Sequence, residues 1–311
     1  MATSKSNTGE SKPSDGSTAG GSATGGPTTS GLVSHETQKR LQRVAVYLTA
    51  LLISIFTIVP VYVMVVIAIQ PPAATFAGGR VNLLPTEPAL RNFVVLLTET
   101  DTIRYFGNSL VVTLGSTILS TTIAVAAGYG LTRFDFAGKS IAARAVLFSY
   151  MFSPIVLAIP LYVVFSTLGL LNSHFALTLA LTAISAPFCI WLMWQYFQTV
   201  PIALEESAWV RGASRWRTVK DVVLPVARPG YISAAIFAFA VAWNDFTMAR
   251  VVMSRDEMYT INVGASLFLD RVSIGWGETM AVSLLIALPP FLIALFLQRY
   301  LLQGFSVGGL E

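Results

Sequence analysis

Six long apolar runs separated by shorter polar segments make up most of this chain. They are Val44–Ile69, Phe106–Leu131, Ala142–Leu168, Phe175–Phe197, Gly230–Val252 and Thr279–Leu302. Each exceeds the ~20 residues of helix that cross a bilayer core. A segment in lipid must close its own backbone hydrogen bonds, so the runs predict six transmembrane helices in an all-α polytopic membrane protein. Ahead of them, residues 1–40 are mostly Ser, Gly and Thr with scattered charges. Such a stretch buries too little apolar surface to offset its ordering entropy and reads as a disordered cytoplasmic tail. The transmembrane domain then occupies 41–311. The first apolar run is too long for a signal-peptide core and lacks a small-residue cleavage site, so it is predicted to remain as an anchor.

Composition agrees with that class. Apolar residues make up 54% of the chain and charged ones 12%, a balance foreign to a soluble enzyme. The net charge of +4 follows from topology and gives no hint of nucleic acid. The lone cysteine, Cys189, lies in an apolar run and cannot form an internal disulfide. With the N-terminus inside, twelve basic residues flank the spans on the inner side, from Lys39 to Arg299, against six on the outer side. The positive-inside rule therefore predicts both termini in the cytoplasm.

The same orientation puts the polar island Glu205–Pro225 in the cytoplasm. Pro201 suits a first helical turn, and Glu205 and Glu206 favour its positive end. Gly212 is predicted to stop that helix in a left-handed turn. A second, amphipathic helix follows, with Trp216, Val219 and Val223 on one face and Arg215, Arg217, Lys220 and Asp221 on the others.

This stretch resembles the "EAA" loop of the membrane subunits of binding-protein-dependent ABC importers. Glu206, Ser207 in the first Ala place, Ala208, Gly212, Val223, Leu224 and Pro225 match its pattern without a gap. Ser207 departs by a hydroxyl, and Arg211 stands where the family usually has Asp. Further similarity to the carbohydrate branch lies in Asn108-Ser109-Leu110, in Gly128 to Lys139, in Ile159-Pro160-Leu161-Tyr162 and in Trp243-Asn244-Asp245. Over roughly Val44–Leu310 the chain looks like the smaller permease subunit of a maltose-type sugar importer.

That resemblance implies a type I ABC importer permease fold with a cytoplasmic coupling helix. It implies a homologous second permease subunit, two cytoplasmic ATPase subunits, an extracytoplasmic solute-binding protein and a sugar substrate. ATP and Mg would be handled by the ATPases, with no cofactor on this chain. Glu205, Glu206, Ser207, Ala208, Arg211, Gly212, Ala213, Leu224 and Pro225 would form the coupling loop. Glu206 would meet the ATPase, and Gly212 would permit the turn. The family also places the C-terminal stretch from Gln303 between the ATPases.

Other features weigh less. Gly138-Lys139-Ser140 resembles the end of a phosphate-binding loop, but the Gly required five residues earlier is Arg133. Arg133 and Lys139 read instead as headgroup anchors. His35 and His174 have no metal or triad partner nearby in sequence. No motif supplies hydrolytic chemistry, so energy must come from another chain. Asp245 is costly inside an apolar span and is predicted, with Trp243 and Asn244, to face a pathway or gate, with Asn244 and Arg250 as partners. An intramembrane acid would also suit an ion-coupled secondary transporter, the alternative reading, though that leaves the helix-Gly-helix island without a purpose.

Overall fold

The computed structural model describes residues 35–71, 83–84, 88–270 and 275–306. By contact the chain divides into Met1–Phe56 and Thr57–Glu311. The described part of the first unit is the opening of α1 (His35–Ala68), which starts inside the stretch 1–40. Extending a formed helix costs far less than nucleating one, which accounts for these extra turns. The rest of the tail and residues 307–311 lie outside the described residues.

The larger unit continues with α2 (Arg91–Thr98), α3 (Thr102–Arg133), α4 (Lys139–Ser149), α5 (Pro154–Thr167) and α6 (His174–Thr199). Two short helices follow, α7 (Ile202–Val210) and α8 (Arg215–Val226). The order ends with α9 (Arg228–Trp243), α10 (Thr247–Val252), α11 (Ile261–Asp270) and α12 (Trp276–Ser306). Among the described residues four helices are long and apolar enough to cross a membrane, or up to six spans if each of two bent pairs, α4 with α5 and α8 with α9, counts as one.

Two breaks, only the first of them at one of these bent pairs, correct the predicted spans. Ala142–Leu168 is broken: α4 and α5 meet at 100° across Tyr150–Ser153. Pro154 sits at the start of α5 and has no N–H to continue the helix from α4. Gly230–Val252 is also too long, because α9 ends at Trp243 and α10 starts afresh at Thr247. There Asp245 binds backbone N–H groups itself, which competes with a continuous helix.

α3 and α6 pack along their length, with α9 against both. Their seam is built of small residues, as lipid-embedded helices require for close approach. The hydroxyls of Ser120 and Ser185 lie 2.7 Å apart across it. A Cβ on Gly128 would lie 2.9 Å from Met193 Cβ and the Trp194 nitrogen, so nothing larger fits there. Two apolar clusters occupy the two ends of the bundle. Met193, Phe197, Val223 and Ala143 anchor the end nearest Glu205. Trp243, Leu177, Met248, Ala158 and Phe165 anchor the other.

Candidate functional site: the coupling unit and the far break

Residues 201–226 form the predicted helix, turn and helix. At the end of α7, Gly212 has φ +85°. Its N–H donates to the Trp209 carbonyl at 2.9 Å, and the Ala213 N–H donates to the Ala208 carbonyl at 3.0 Å. This pair of bonds satisfies two otherwise orphaned carbonyls and needs a left-handed residue between them. Ser214 then caps α8 by accepting from the Arg217 N–H at 3.3 Å.

Two neighbouring glutamates part company on α7. Glu205 is fully buried, whereas Glu206 is exposed. Arg133 Nε, from the last turn of α3, donates to Glu205 Oε1 at 2.6 Å. The Tyr129 hydroxyl, one turn earlier, donates to Glu205 Oε2 at 2.8 Å. Arg133 Nη2 also donates to the Val200 carbonyl at 2.7 Å, fixing the strand of chain that enters α7. Both carboxylate oxygens are therefore committed to α3. The Arg215 guanidinium adds a second tie, lying 5.9 Å from the Phe134 and Trp209 ring centroids.

Arg133 is thus no headgroup anchor. Its side chain is 12% exposed and holds an ion pair within the protein. Lys139 pairs with Asp135 at 3.1 Å. The predicted apolar face of α8 is also revised. Val223 is buried, but Trp216 is 76% exposed and Thr218 takes the inner position. A π-helical turn over Val219–Val223 inserts one residue and rotates the preceding positions by about 100°, which carries Trp216 outward. Val210 and Trp216 therefore project on either side of the Gly212 turn. Ser207, Arg211 and Pro225 are exposed as well, while Ala208, Ala213 and Leu224 are half-buried.

At the opposite end, Trp243, Asn244 and Asp245 mark the break between α9 and α10. Trp243 is 1% exposed and stacks on Phe239 at 5.7 Å. Its indole N–H donates to the Ile286 carbonyl in α12 at 2.9 Å. Pro290, four residues on from Ile286, has no N–H to offer that carbonyl, so the indole replaces the missing helix donor. Asp245 accepts from the N–H groups of Met248 (3.3 Å) and Ala249 (2.9 Å) and so caps α10. Asn262 Nδ2 donates to the Trp243 and Asp245 carbonyls. The predicted partners are corrected: Asn244 turns to the Ala240 carbonyl, and Arg250 turns to Tyr259. Among the described residues no His, Cys, Asp and Glu cluster is placed to hold a metal.

A family model described as "Binding-protein-dependent transport system inner membrane component" matches residues 120–307. That span contains α6 to α9 and so the whole helix–turn–helix of residues 201–226. The chain belongs to this family of ABC importer permeases. A permease protein of Escherichia coli, YcjP, is 30% identical and covers 88% of this chain and 99% of its own. The trehalose/maltose transport system permease MalG of Thermococcus litoralis is 30% identical over 87% of this chain and 98% of its own. The diacetylchitobiose uptake permease DasC of Streptomyces coelicolor is 32% identical over 85% and 95%. A crystal structure of a bacterial ABC transporter that imports alginate superimposes with a TM-score of 0.73. That likeness, at 21% identity over 84% of this chain and 98% of the other, concerns the fold.

The permease is a multi-pass inner-membrane transport subunit rather than an enzyme. Its sequence motif matched Glu206 and Gly212, and the loop it marks included Glu205, but it did not reach Tyr129 or Arg133. These two sit 76 and 72 positions from Glu205, and no local spacing links them to it. The signal available was a basic residue ending a span next to a loop with two acids, a weak one. The permease's Trp243–Ile286 bond left a better trace, since any proline inside a helix orphans the carbonyl four residues before it.

Proposed function

We propose that this permease is one of two membrane subunits of an ATP-driven importer that carries a sugar into the cytoplasm. The observation that carries the reading is the contrast between adjacent glutamates. Glu205 is clasped by Tyr129 and Arg133 of α3, while Glu206, Val210 and Trp216 stand free. A helix pair held this way moves with the span and still presents a face to a partner. The excess of basic residues on the α7–α8 side supports cytoplasmic termini, within reach of two ATPase subunits. ATP-driven closure would shift α7 and α8, and the Glu205 clasp would carry that shift into α3 and the bundle, exchanging inward- and outward-open states.

The remaining roles follow the same logic. Glu206 and Arg211 would make charged contacts with the ATPase, and Gly212 would set the angle between α7 and α8. A homologous permease chain would complete the pathway, and an extracytoplasmic solute-binding protein would deliver the sugar. Exposed Asn244 would lie on the pathway side of the α9–α10 break, with Trp243 and Asp245 holding its shape. Support for a sugar comes from the trehalose/maltose and diacetylchitobiose systems that the chain resembles.

The test is uptake by the purified complex in proteoliposomes. Radiolabelled maltose, trehalose and diacetylchitobiose are offered with the binding protein outside and ATP inside. Import of a sugar only with enclosed ATP supports the reading. Import driven by a proton or sodium gradient without ATP would return it to a secondary transporter.

A further inference from the structure

We propose that α8 is a two-register helix, whose first turn slides by one residue between nucleotide states and exchanges buried Thr218 for Val219. The inference rests on the ATP-driven importer reading above and adds how α8 answers the ATPase. Its starting point is the π-helical turn over Val219–Val223. The Leu224 N–H donates to the Val219 carbonyl, five residues back instead of four. Between Thr218 and Val223, both fully buried, the helix therefore carries one residue more than an α-helix holds. Such turns are rare and occur mostly at functional sites. If the extra residue moves out toward Gly212, an α-helix remains behind it, and the first turn shifts by about 1.5 Å and rotates by about 100°.

The sequence fits both registers. After a slide of one residue, each side chain takes the place of the one before it. The Arg215 place lies beside the Phe134 and Trp209 rings, 5.9 Å from each centroid, and Trp216 would enter it as a third aromatic. The exposed place of Trp216 would pass to Arg217. The buried place of Thr218 would pass to Val219, which is apolar and similar in size. Thr218 would turn outward without losing its hydrogen bond, because its hydroxyl donates to the Ser214 carbonyl at 3.1 Å within the same helix. The observed register keeps the Arg215 contacts but leaves the indole 76% exposed and retains the π-turn. The other register buries the indole and removes the π-turn. Two discrete arrangements with offsetting gains are what a switching element requires.

The surroundings confine the slide to the first turns of α8. Val223 and Ala227 are buried, and the Ala227 N–H donates to the Val223 carbonyl at 2.8 Å, so the end of α8 stays with α9. At the other end, no described atom lies within 4 Å of where a Cβ on Gly212 would stand. That turn has room to take up the extra residue. Closure of the ATPases presses on the exposed face that carries Trp216, which favours the register that withdraws it.

The experiment uses the full complex in proteoliposomes with T218C in a C189A background, which removes the one native cysteine. N-ethylmaleimide labelling is compared without nucleotide and with ATP, EDTA and sugar-loaded binding protein, where ATP binds but is not hydrolysed. The expected result is a protected cysteine without nucleotide and labelling at least about tenfold faster with ATP. Rigid docking of α8 keeps position 218 inward in both states and predicts no change. In parallel, deletion of Lys220 removes the extra residue and leaves Thr218 one α-turn before Val223, so the observed register is locked. In assembled complex, this deletion is expected to keep T218C protected with ATP and to lower import per ATP at least about fivefold. Equal labelling of T218C in both states, in vesicles that import sugar, would overturn the slide and leave the importer reading intact. Normal import per ATP by the assembled deletion complex would also overturn it. Failure of the parent complex to import any sugar with ATP would overturn the importer reading and the slide with it.

Discussion

Arg133 and Glu205, 72 positions apart in the chain, meet with Nε and Oε1 at 2.6 Å, and the carboxylate is sealed from solvent. This contact joins the last turn of one membrane span to the first helix of the coupling unit. It turns a surface loop into an extension of α3. Removing one partner leaves the other charge buried and unpaired, which costs about 3–5 kcal/mol. R133A and E205A are therefore predicted to lower the thermal midpoint of the purified complex clearly more than E206A. Measured by fluorescence-detected size exclusion after heating, E206A stays near wild type, because its side chain stands in solvent. Equal midpoints for E205A and E206A would remove the clasp from the account.

The turn at Gly212 makes a separate prediction. Its φ of +85° costs a residue with a Cβ about 1–2 kcal/mol, less for Asn. Proline cannot reach it at all. G212N is predicted to keep most uptake, G212A to lose part, and G212P to lose transport while the chain stays in the membrane at normal amounts. Uptake and membrane abundance measured on the same cells check this order. Near-normal uptake by G212P would mean that the angle between α7 and α8 plays no part in coupling.

At the far break, Asp245 acts as a helix cap. Its carboxylate takes the Met248 and Ala249 N–H groups, a task Asn can share and Ala cannot. D245A is predicted to destabilise the complex by about 0.5–2 kcal/mol, and D245N by only a few tenths. Transport should follow the same order. Loss of uptake in a stably assembled D245N complex would instead point to a role for the ionised carboxylate.

Trp243 and Pro290 are predicted to couple. W243F leaves the Ile286 carbonyl without its donor, at a cost of about 1–3 kcal/mol. In a P290A background the alanine N–H can serve that carbonyl, and the same change is predicted to cost less. A double-mutant cycle on thermal stability measures the difference. Additive effects would show that the indole bond and the proline are unrelated.

What could be read from the sequence was what depends on local spacing. Apolar runs located the spans, two of them broken, and the Glu206–Gly212–Pro225 register located the helix–turn–helix of α7 and α8. Gly212 was legible because a left-handed helix end has few solutions. Trp216 was misplaced because a π-turn changes the helical period, and Pro225 alone does not say where an extra residue enters. The break at Tyr150–Ser153 left Pro154 as its one trace in the sequence, because both halves are apolar and hydropathy ignores direction. The Arg133–Glu205 pair was hidden for another reason. Its partners become neighbours only after α3 and α6 have packed, and α6 delivers the chain through Val200 to the side of Arg133. Charge near a span end reads equally as a lipid anchor or an internal pair.

The most direct test of the account is the number of sugar molecules imported per ATP hydrolysed by an R133Q complex. The measurement uses proteoliposomes with the solute-binding protein outside, normalised to intact assembled complex so that lost stability does not enter. If the clasp transmits the movement of α7 and α8 to the bundle, R133Q hydrolyses ATP while its import per ATP falls at least about tenfold, equivalent to about 1.4 kcal/mol of lost coupling. An unchanged ratio of import to hydrolysis in assembled R133Q would contradict it.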